Sequence, residues 1–262
     1  MRKFFKAVST LLAVITAAAF IIPFAACTPD PDTNGEVIRV YSVGGIPLTD
    51  VTVTVLNGNT QVGSGKTNDK GEYAFKVDGD NYTAVLSDLP EGYTAKSSYK
   101  LNKNKQNVIY VESGIITDKP IPAGKQYSVG DILYDFELQN AYNYENATDT
   151  SLAAKKVKLS ELFEGKKAIL LNFFFVSCGP CNSEMPAILS AYEKYKDDIV
   201  IIGLDNQGDS DADVANFVLK HQANYYMSVD TAGVIASFPK VNAFPTNIVI
   251  DRYGVICERE AN

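Results

Sequence analysis

Residues 168–176 (AILLNFFFV) form a nearly continuous apolar run that leads straight into Ser177-Cys178-Gly179-Pro180-Cys181. A run of this length and composition fits a strand buried on both faces, as at the centre of a parallel sheet. After the cysteines, residues 181–195 place Met185, Ile188, Leu189 and Tyr192 at helical spacing. That predicts a helix, with Pro186 as the one residue opposing a regular one and the expected place of a kink. Buried strand, tight turn and helix in immediate succession restrict this half of the chain to an α/β arrangement.

The same succession gives Cys178 a chemical setting. A thiol at a helix start lies beside N–H groups with no partner inside the helix, at the positive end of its dipole. Both favour the thiolate and can bring a cysteine pKa from ~8.5 into the range ~3.5–7.5. Cys181 lies one helical turn on, within disulfide reach, and Gly179-Pro180 keeps the turn compact. These residues read as a redox dithiol, with Cys178 the nucleophile and Cys181 the resolving thiol that collapses a mixed disulfide. A bare C-x-x-C also fits half a zinc site or two unrelated core thiols. Zinc needs four ligands, and only Cys257 and His221 remain in this part of the chain, without ligand spacing, so no metal is expected. His221 ends a helix expected over residues 211–220 and reads as a surface or cap residue. Cys257 shares a strand face with Val255 and reads as a buried, inert thiol; a regulatory partner for Cys178 is its other reading.

Charge narrows the partners. The 262 residues carry 24 Lys and Arg against 31 Asp and Glu, a formal charge of −7. Residues 1–27 hold Arg2, Lys3 and Lys6 and no acid, so the rest of the chain has 21 basic residues, 31 acidic ones and a charge of −10. Nucleic acid is therefore not an expected partner, because neutralising phosphates needs a basic surface.

The three cations at residues 1–6 precede an uncharged apolar run over residues 7–26, the pattern of a secretory signal. Its end, Phe24-Ala25-Ala26-Cys27, resembles the lipobox of bacterial lipoproteins, with Phe24 where Leu is usual. The resemblance implies lipidation at Cys27, a membrane lipid anchor, and an extracytoplasmic location at the bacterial cell membrane. An uncleaved anchor and a cleaved soluble form are the other readings. Residues 28–36 (TPDPDTNGE) have nothing apolar to bury and read as a tether.

Residues 37–113 read as a small all-β sandwich. Val51, Val53 and Val55 alternate with Thr52 and Thr54, and Tyr73, Phe75 and Val77 alternate after Gly71. Turn signals recur at Asn57-Gly58-Asn59, Asn68-Asp69-Lys70-Gly71, Asp78-Gly79-Asp80 and Pro90-Glu91-Gly92. Gly45-Ile46-Pro47-Leu48, the 67–75 segment and Leu89-Pro90-Glu91-Gly92-Tyr93 resemble the prealbumin-like modules, including Cna B-type repeats. No cluster of acid, base and nucleophile occurs there, so a spacer or docking role is expected. Residues 114–126, with two Pro and a Gly in TDKPIPAGK, read as a linker.

Residues 127–262 resemble the thioredoxin fold, and most closely the TlpA/ResA-like thiol-disulfide oxidoreductases of the redoxin superfamily. The resemblance rests on several stretches. Val129-Gly130-Asp131 with Asp135-Phe136-Glu137-Leu138 corresponds to an opening hairpin. Leu171-Asn172-Phe173-Phe174 precedes Cys178-Gly179-Pro180-Cys181-Asn182-Ser183-Glu184-Met185-Pro186. Phe244-Pro245-Thr246 precedes a final hairpin over residues 248–256. The resemblance implies that Pro245 is a cis-proline packed against the disulfide and that Glu184 is the acid tuning the cysteines. It also implies that Gly179, Pro180, Phe244 and Thr246 meet the substrate. Asn172 stands where cytoplasmic thioredoxins have a buried Asp. The family's final helix has no counterpart before Asn262, which leaves two readings: the sequence is a fragment, or the fold lacks that helix and the sheet face is exposed or covered by something else.

The resulting expectation is an enzyme: a membrane-anchored protein-disulfide reductase with no cofactor beyond the Cys178–Cys181 redox-active disulfide. Its partners would be protein disulfides and a membrane electron donor of the CcdA/DsbD type. The alternatives are a surface binding or adhesion module with a structural redoxin domain, and a thiol peroxidase. The peroxidase requires Thr three residues before the reactive cysteine, where this chain has Phe175. The direction of electron flow stays open, because potentials across this fold span ~−270 to ~−120 mV.

Overall fold

The computed structural model describes residues 37–103, 105–148, 155–163, 167–205, 207–239 and 241–261, without the side chains of Thr148 and residues 258–261. The signal, Cys27 and the tether lie outside the described residues. Of those described, residues 37–114 with 130–132 form one compact unit, and residues 115–129 with 133–261 form another.

The first unit contains eight strands: β1 (Val37–Ser42), β2 (Thr52–Asn57), β3 (Thr60–Lys66), β4 (Glu72–Ala74), β5 (Tyr82–Ser87), β6 (Tyr93–Thr94), β7 (Tyr99–Lys100) and β8 (Asn107–Ser113). They form two four-stranded sheets, ordered β4-β1-β8-β6 and β3-β2-β5-β7. Only the β1–β8 pairing is parallel. The alternation read in β2 holds: Val53 and Val55 are fully buried, as is Val51 just before the strand, while Thr52 and Thr54 are half-buried. The turn before β4 is built by Asn68, whose Oδ1 accepts the Lys70 and Glu72 N–H groups, both at 2.9 Å. Gly71 closes that turn at φ +71°, where a Cβ would come within 2.6 Å of the Val40 carbonyl oxygen. The strand expected through Phe75 and Val77 stops at Ala74. The Tyr73 and Phe75 rings lie instead over Gly65 and Gly63 of β3, which have no side chains in the way.

The second unit contains β9 (Glu137–Ala141), α1 (Tyr144–Thr148), β10 (Lys155–Lys158), α2 (Leu159–Leu162), β11 (Ala168–Phe174), α3 (Gly179–Tyr195), β12 (Ile199–Asp205), α4 (Asp211–His221), β13 (Tyr226–Val229), β14 (Thr246–Ile250) and β15 (Ile256–Ala261). A five-stranded sheet runs β13-β12-β11-β14-β15. β11, β12 and β13 are parallel, while β14 and β15 run antiparallel to their neighbours. Every residue of β11 is buried, as the unbroken apolar run requires of a central strand. The opening hairpin is formed by β9 and β10, so Val129-Gly130-Asp131 takes no part in it, contrary to expectation. Residues 130–132 group with the first unit.

The helix after the cysteines starts at Gly179, two residues before the expected 181. The reason is local. Cys178 occupies the cap position with extended backbone, and Pro180 suits the first turn, where a missing N–H costs nothing. The buried face of α3 carries Cys181, Glu184, Met185, Ile188, Ala191 and Tyr195, while Leu189 and Tyr192 are half-buried at its margin. α4 begins with a reciprocal cap: the Asp213 N–H donates to Ser210 Oγ (3.2 Å) and the Ser210 N–H to the Asp213 carboxylate (2.9 Å). It ends at Gln222 in the left-handed region. Among the described residues no helix is long and apolar enough to cross a membrane.

Candidate active site

β11 delivers the chain to the cysteine turn at its carboxyl end. Cys178 and Cys181 are joined in a disulfide, with Cα atoms 5.2 Å apart. The Cys178 Sγ also accepts the Cys181 N–H at 3.0 Å, so the first sulfur occupies the capping position expected of it. Both cysteines are buried, yet Ser177, Gly179 and Pro180 around them are exposed. A partner approaching this end of α3 therefore meets the turn before the sulfurs.

Beneath the turn lies a polar group inside the apolar core. Glu184, one helical turn after Cys181, is 3% exposed. Asn247 Nδ2 donates to its Oε1 (2.8 Å) and Asn172 Nδ2 to its Oε2 (3.3 Å). Asn172 Nδ2 also donates to Asn247 Oδ1 at 2.9 Å. Three elements meet here: β11 supplies Asn172, α3 supplies Glu184 and β14 supplies Asn247. Asn172 and Asn247 are opposite one another in the β11–β14 register, which fixes their spacing. Burial, and next the Glu184 carboxyl, push the Tyr225 phenol far above its ordinary value.

The Phe244–Pro245 peptide bond is cis. Pro245 is buried immediately before β14, and Thr246 pairs with Phe173 near the carboxyl end of β11. The sheet thus brings the proline to the end of the strand that carries the cysteines. Half-buried Phe244 packs on the core that includes both cysteines and meets Phe175 edge-on, with ring centroids 5.6 Å apart. Thr246 is fully buried, and its hydroxyl donates to the Ala243 carbonyl at 2.8 Å, so it braces the loop.

A second set of polar residues carries no motif in the sequence. Asn182 Nδ2 donates to the carbonyls of Val176 (3.0 Å) and Cys178 (2.8 Å). Its Oδ1 accepts Lys220 Nζ at 2.7 Å and lies 3.0 Å from His221 Nε2. His221 therefore does more than end its helix: its ring packs on Phe217 and its nitrogen reaches the cysteine turn's neighbour. Burial, then Lys220, lower its pKa. Asp209 Oδ2 accepts the Val176 N–H at 2.7 Å. Asp205, the last residue of β12, is fully buried, and burial followed by the neighbouring Asp209 carboxyl pushes its pKa up to about 7. Asp205 and Asn247 are hidden in the sequence because each ends or sits within an apolar strand, and the β11–β14 pairing that opposes Asn247 to Asn172 is not a local property. Cys257 is half-buried rather than buried; its thiol is 3.3 Å from the Val255 carbonyl and is outside the disulfide. Among the described residues no group of three or more His, Cys, Asp or Glu is placed to hold a metal ion.

Comparison with known proteins matches residues 129–259 to the model of the AhpC/TSA family. The chain is similar to the thiol-disulfide oxidoreductase ResA of Bacillus thuringiensis subsp. konkukian, at 35% identity over 114 residues, which cover 43% of this chain and 64% of that protein. The chain thus spans less than two thirds of that relative's length. It is likewise similar to ResA of Bacillus anthracis, at 35% identity over 124 residues, covering 47% of this chain and 70% of the relative. Among solved structures, a thiol:disulfide interchange protein from Bacteroides sp. matches with a TM-score of 0.41 at 20% identity, over 51% of this chain and 81% of the other.

Proposed function

The chain belongs to the AhpC/TSA family, with a thioredoxin-like fold in its second unit, and we propose that it is a protein thiol-disulfide oxidoreductase working through Cys178 and Cys181. The observation that carries this reading is the Cys178–Cys181 disulfide at the first turn of α3, with the Cys178 sulfur accepting the Cys181 N–H. A thiolate at that position gains a hydrogen bond and the helix dipole, which makes Cys178 the attacking and better-leaving sulfur.

In the reducing direction the Cys178 thiolate attacks one sulfur of a substrate disulfide. A Cys178–substrate disulfide forms and the first substrate thiolate leaves. The Cys181 thiolate then attacks the Cys178 sulfur, the second substrate thiolate leaves, and the Cys178–Cys181 disulfide forms. Two electrons pass to the substrate, and the two protons of the dithiol balance its new thiols. The dithiol is the electron carrier in this reading, with no further cofactor. Exposed Gly179 and Pro180 meet the substrate chain first, Phe244 borders its path, and Pro245, lacking an N–H, leaves neighbouring backbone to pair with it. Thr246 supports that loop from within. Glu184, held by two amides, tunes the cysteines from the same helix. Phe175, in the position where the peroxidase reading needs Thr, offers no hydroxyl.

The wider reading follows the sequence. Lipidation at Cys27 would anchor the chain outside the cytoplasm, a membrane donor of the CcdA/DsbD type would re-reduce it, and the two-sheet unit would be a prealbumin-like spacer. The ResA names of its relatives support the oxidoreductase part. The test is to equilibrate the purified protein in graded dithiol buffers, alkylate it, and read the Cys178 and Cys181 peptides by mass. A reversible two-electron transition, together with insulin reduction that Cys178→Ser abolishes, is expected. Two thiols that never pair reversibly would sink the oxidoreductase reading and leave a binding module.

A further inference from the structure

Asn182, the residue after Cys181, engages both ends of its side-chain amide. Nδ2 donates to the Val176 carbonyl at 3.0 Å and to the Cys178 carbonyl at 2.8 Å. Oδ1 accepts Lys220 Nζ at 2.7 Å and lies 3.0 Å from His221 Nε2. The orientation of this amide is forced. A carbonyl only accepts and an ammonium only donates, so the NH2 group faces the cysteine turn and the oxygen faces the end of α4. His221 Nε2 must then carry a proton, and a ring in that tautomer donates to Oδ1 whether it is neutral or charged.

The two carbonyls bracket exposed Ser177, and the second belongs to Cys178 itself. The Cys178 backbone is extended, at φ −66° and ψ 112°, and in this conformation its Sγ accepts the Cys181 N–H at 3.0 Å. In the oxidised protein the S–S bond also ties Cys178 to α3. Reduction breaks that bond, and the contacts that then hold the turn are noncovalent. The Asn182 backbone N–H donates to the Cys178 carbonyl (3.0 Å), the Cys178 N–H to the Phe175 carbonyl (3.1 Å), and the Val176 N–H to Asp209 Oδ2 (2.7 Å). Those three each join the turn to one neighbour. The Asn182 side chain joins it to α3 and to the end of α4 together.

We propose that Asn182 is the positioning residue of the reduced state: anchored by Lys220 and His221, its amide keeps Cys178 in the capping geometry after the disulfide opens, and so sustains the thiolate. The proposal deepens the dithiol reading and rests on it. The test is the alkylation rate of each cysteine in the reduced full chain from about pH 5 to about pH 10, read by peptide mass. A Cys178 sulfur that leaves the helix cap loses its N–H donor and the favourable end of the dipole. In Asn182→Ala its inflexion should therefore move up by about one pH unit, an about tenfold smaller thiolate fraction at any pH below both values. The charged groups near the turn, Asp209 before α4, Lys220 and His221 at its end and Glu184 on α3, are present in both proteins. Cys257 on β15 is the internal reference, and its rate should be the same in both. An unmoved Cys178 inflexion with Cys257 unchanged overturns the proposal. If Cys257 reacts faster in the variant, or the variant does not fold, side-chain amide NMR of the reduced wild-type protein decides. The Asn182 Nδ2 protons should exchange with solvent far more slowly than those of exposed Asn216, and equal rates overturn the proposal. Failure of the dithiol reading is read separately, as a wild-type Cys178–Cys181 pair that forms no reversible disulfide.

Discussion

Asn247→Ala is the most informative single change in the buried polar group. It removes the 2.8 Å hydrogen bond to Glu184 Oε1 and the acceptor of the 2.9 Å bond from Asn172. A bond to a carboxylate contributes about 1.5–3 kcal/mol and a neutral one about 0.5–1.5 kcal/mol, and the Glu184 oxygen left behind is buried away from bulk water. The expected loss is about 3 kcal/mol. A domain of this size shifts by roughly 3–5 °C per kcal/mol, so its melting transition should fall by about 10 °C. Asn247→Asp keeps the shape but sets a second carboxyl against Glu184. That pair holds together only with a proton between its members, so its folded-state pKa rises above the unfolded value. The added stability of the protonated pair is then present at low pH and disappears as pH rises through the folded pKa. Asn247→Asp should therefore approach wild-type stability near pH 5 and fall below Asn247→Ala near pH 8. Urea unfolding at the two pH values reads both. A deficit under about 1 kcal/mol for the alanine variant, or a pH-independent deficit for the aspartate variant, would refute the claim that Glu184 is held as an acceptor.

Three further outcomes follow from the structure. Asp205 keeps its proton up to about pH 7 when folded, against 3.8 ordinarily, so the folded state binds more protons than the unfolded state between those values and stability falls as pH rises through them. At about 1.4 kcal/mol per pH unit the fall is at most about 4 kcal/mol, and Asp205→Asn should flatten it in urea unfolding series at pH 5 and pH 8. Gln222 holds φ 54° at the end of α4, so Gln222→Gly should stabilise by about 1 kcal/mol in thermal melts of the second unit's transition. Gly71→Ala should destabilise the first unit by about 2 kcal/mol or more, because φ +71° is strained for alanine and the new Cβ meets the Val40 carbonyl; proteolysis of the 68–72 turn should speed up accordingly.

Asn182 and the two asparagines around Glu184 show how polar side chains complete what the apolar framework begins. The apolar strands place the cysteine turn at the end of β11, but they do not hold its peptide groups. Asn182, Asp209 and the α4 terminus do that. The cost of burying these groups is met because nearly every hydrogen-bonding atom among them has a partner, Asp205 Oδ2 being the exception among the described residues.

The residues that declare themselves in the sequence are those whose role is local. Strand, turn and helix around Cys178 and Cys181 are neighbours in the chain, so periodicity, helix capping and the pKa of a thiol at a helix start could be argued from order alone. The same holds for the valine alternation of β2 and the Asn68–Gly71 turn. What only the tertiary structure decided depends on pairing across long separations. The β11–β14 register sets Asn247 against Asn172 and so brings two amide donors to Glu184. The parallel β11–β12 pairing ends both strands together and sets Asp205 behind the cysteine turn, while packing of α4 brings His221 to Asn182. Hydrophobic pattern specifies that such strands are buried, but it is indifferent to which polar residue of one faces which polar residue of another, and that choice is made by register and packing in three dimensions.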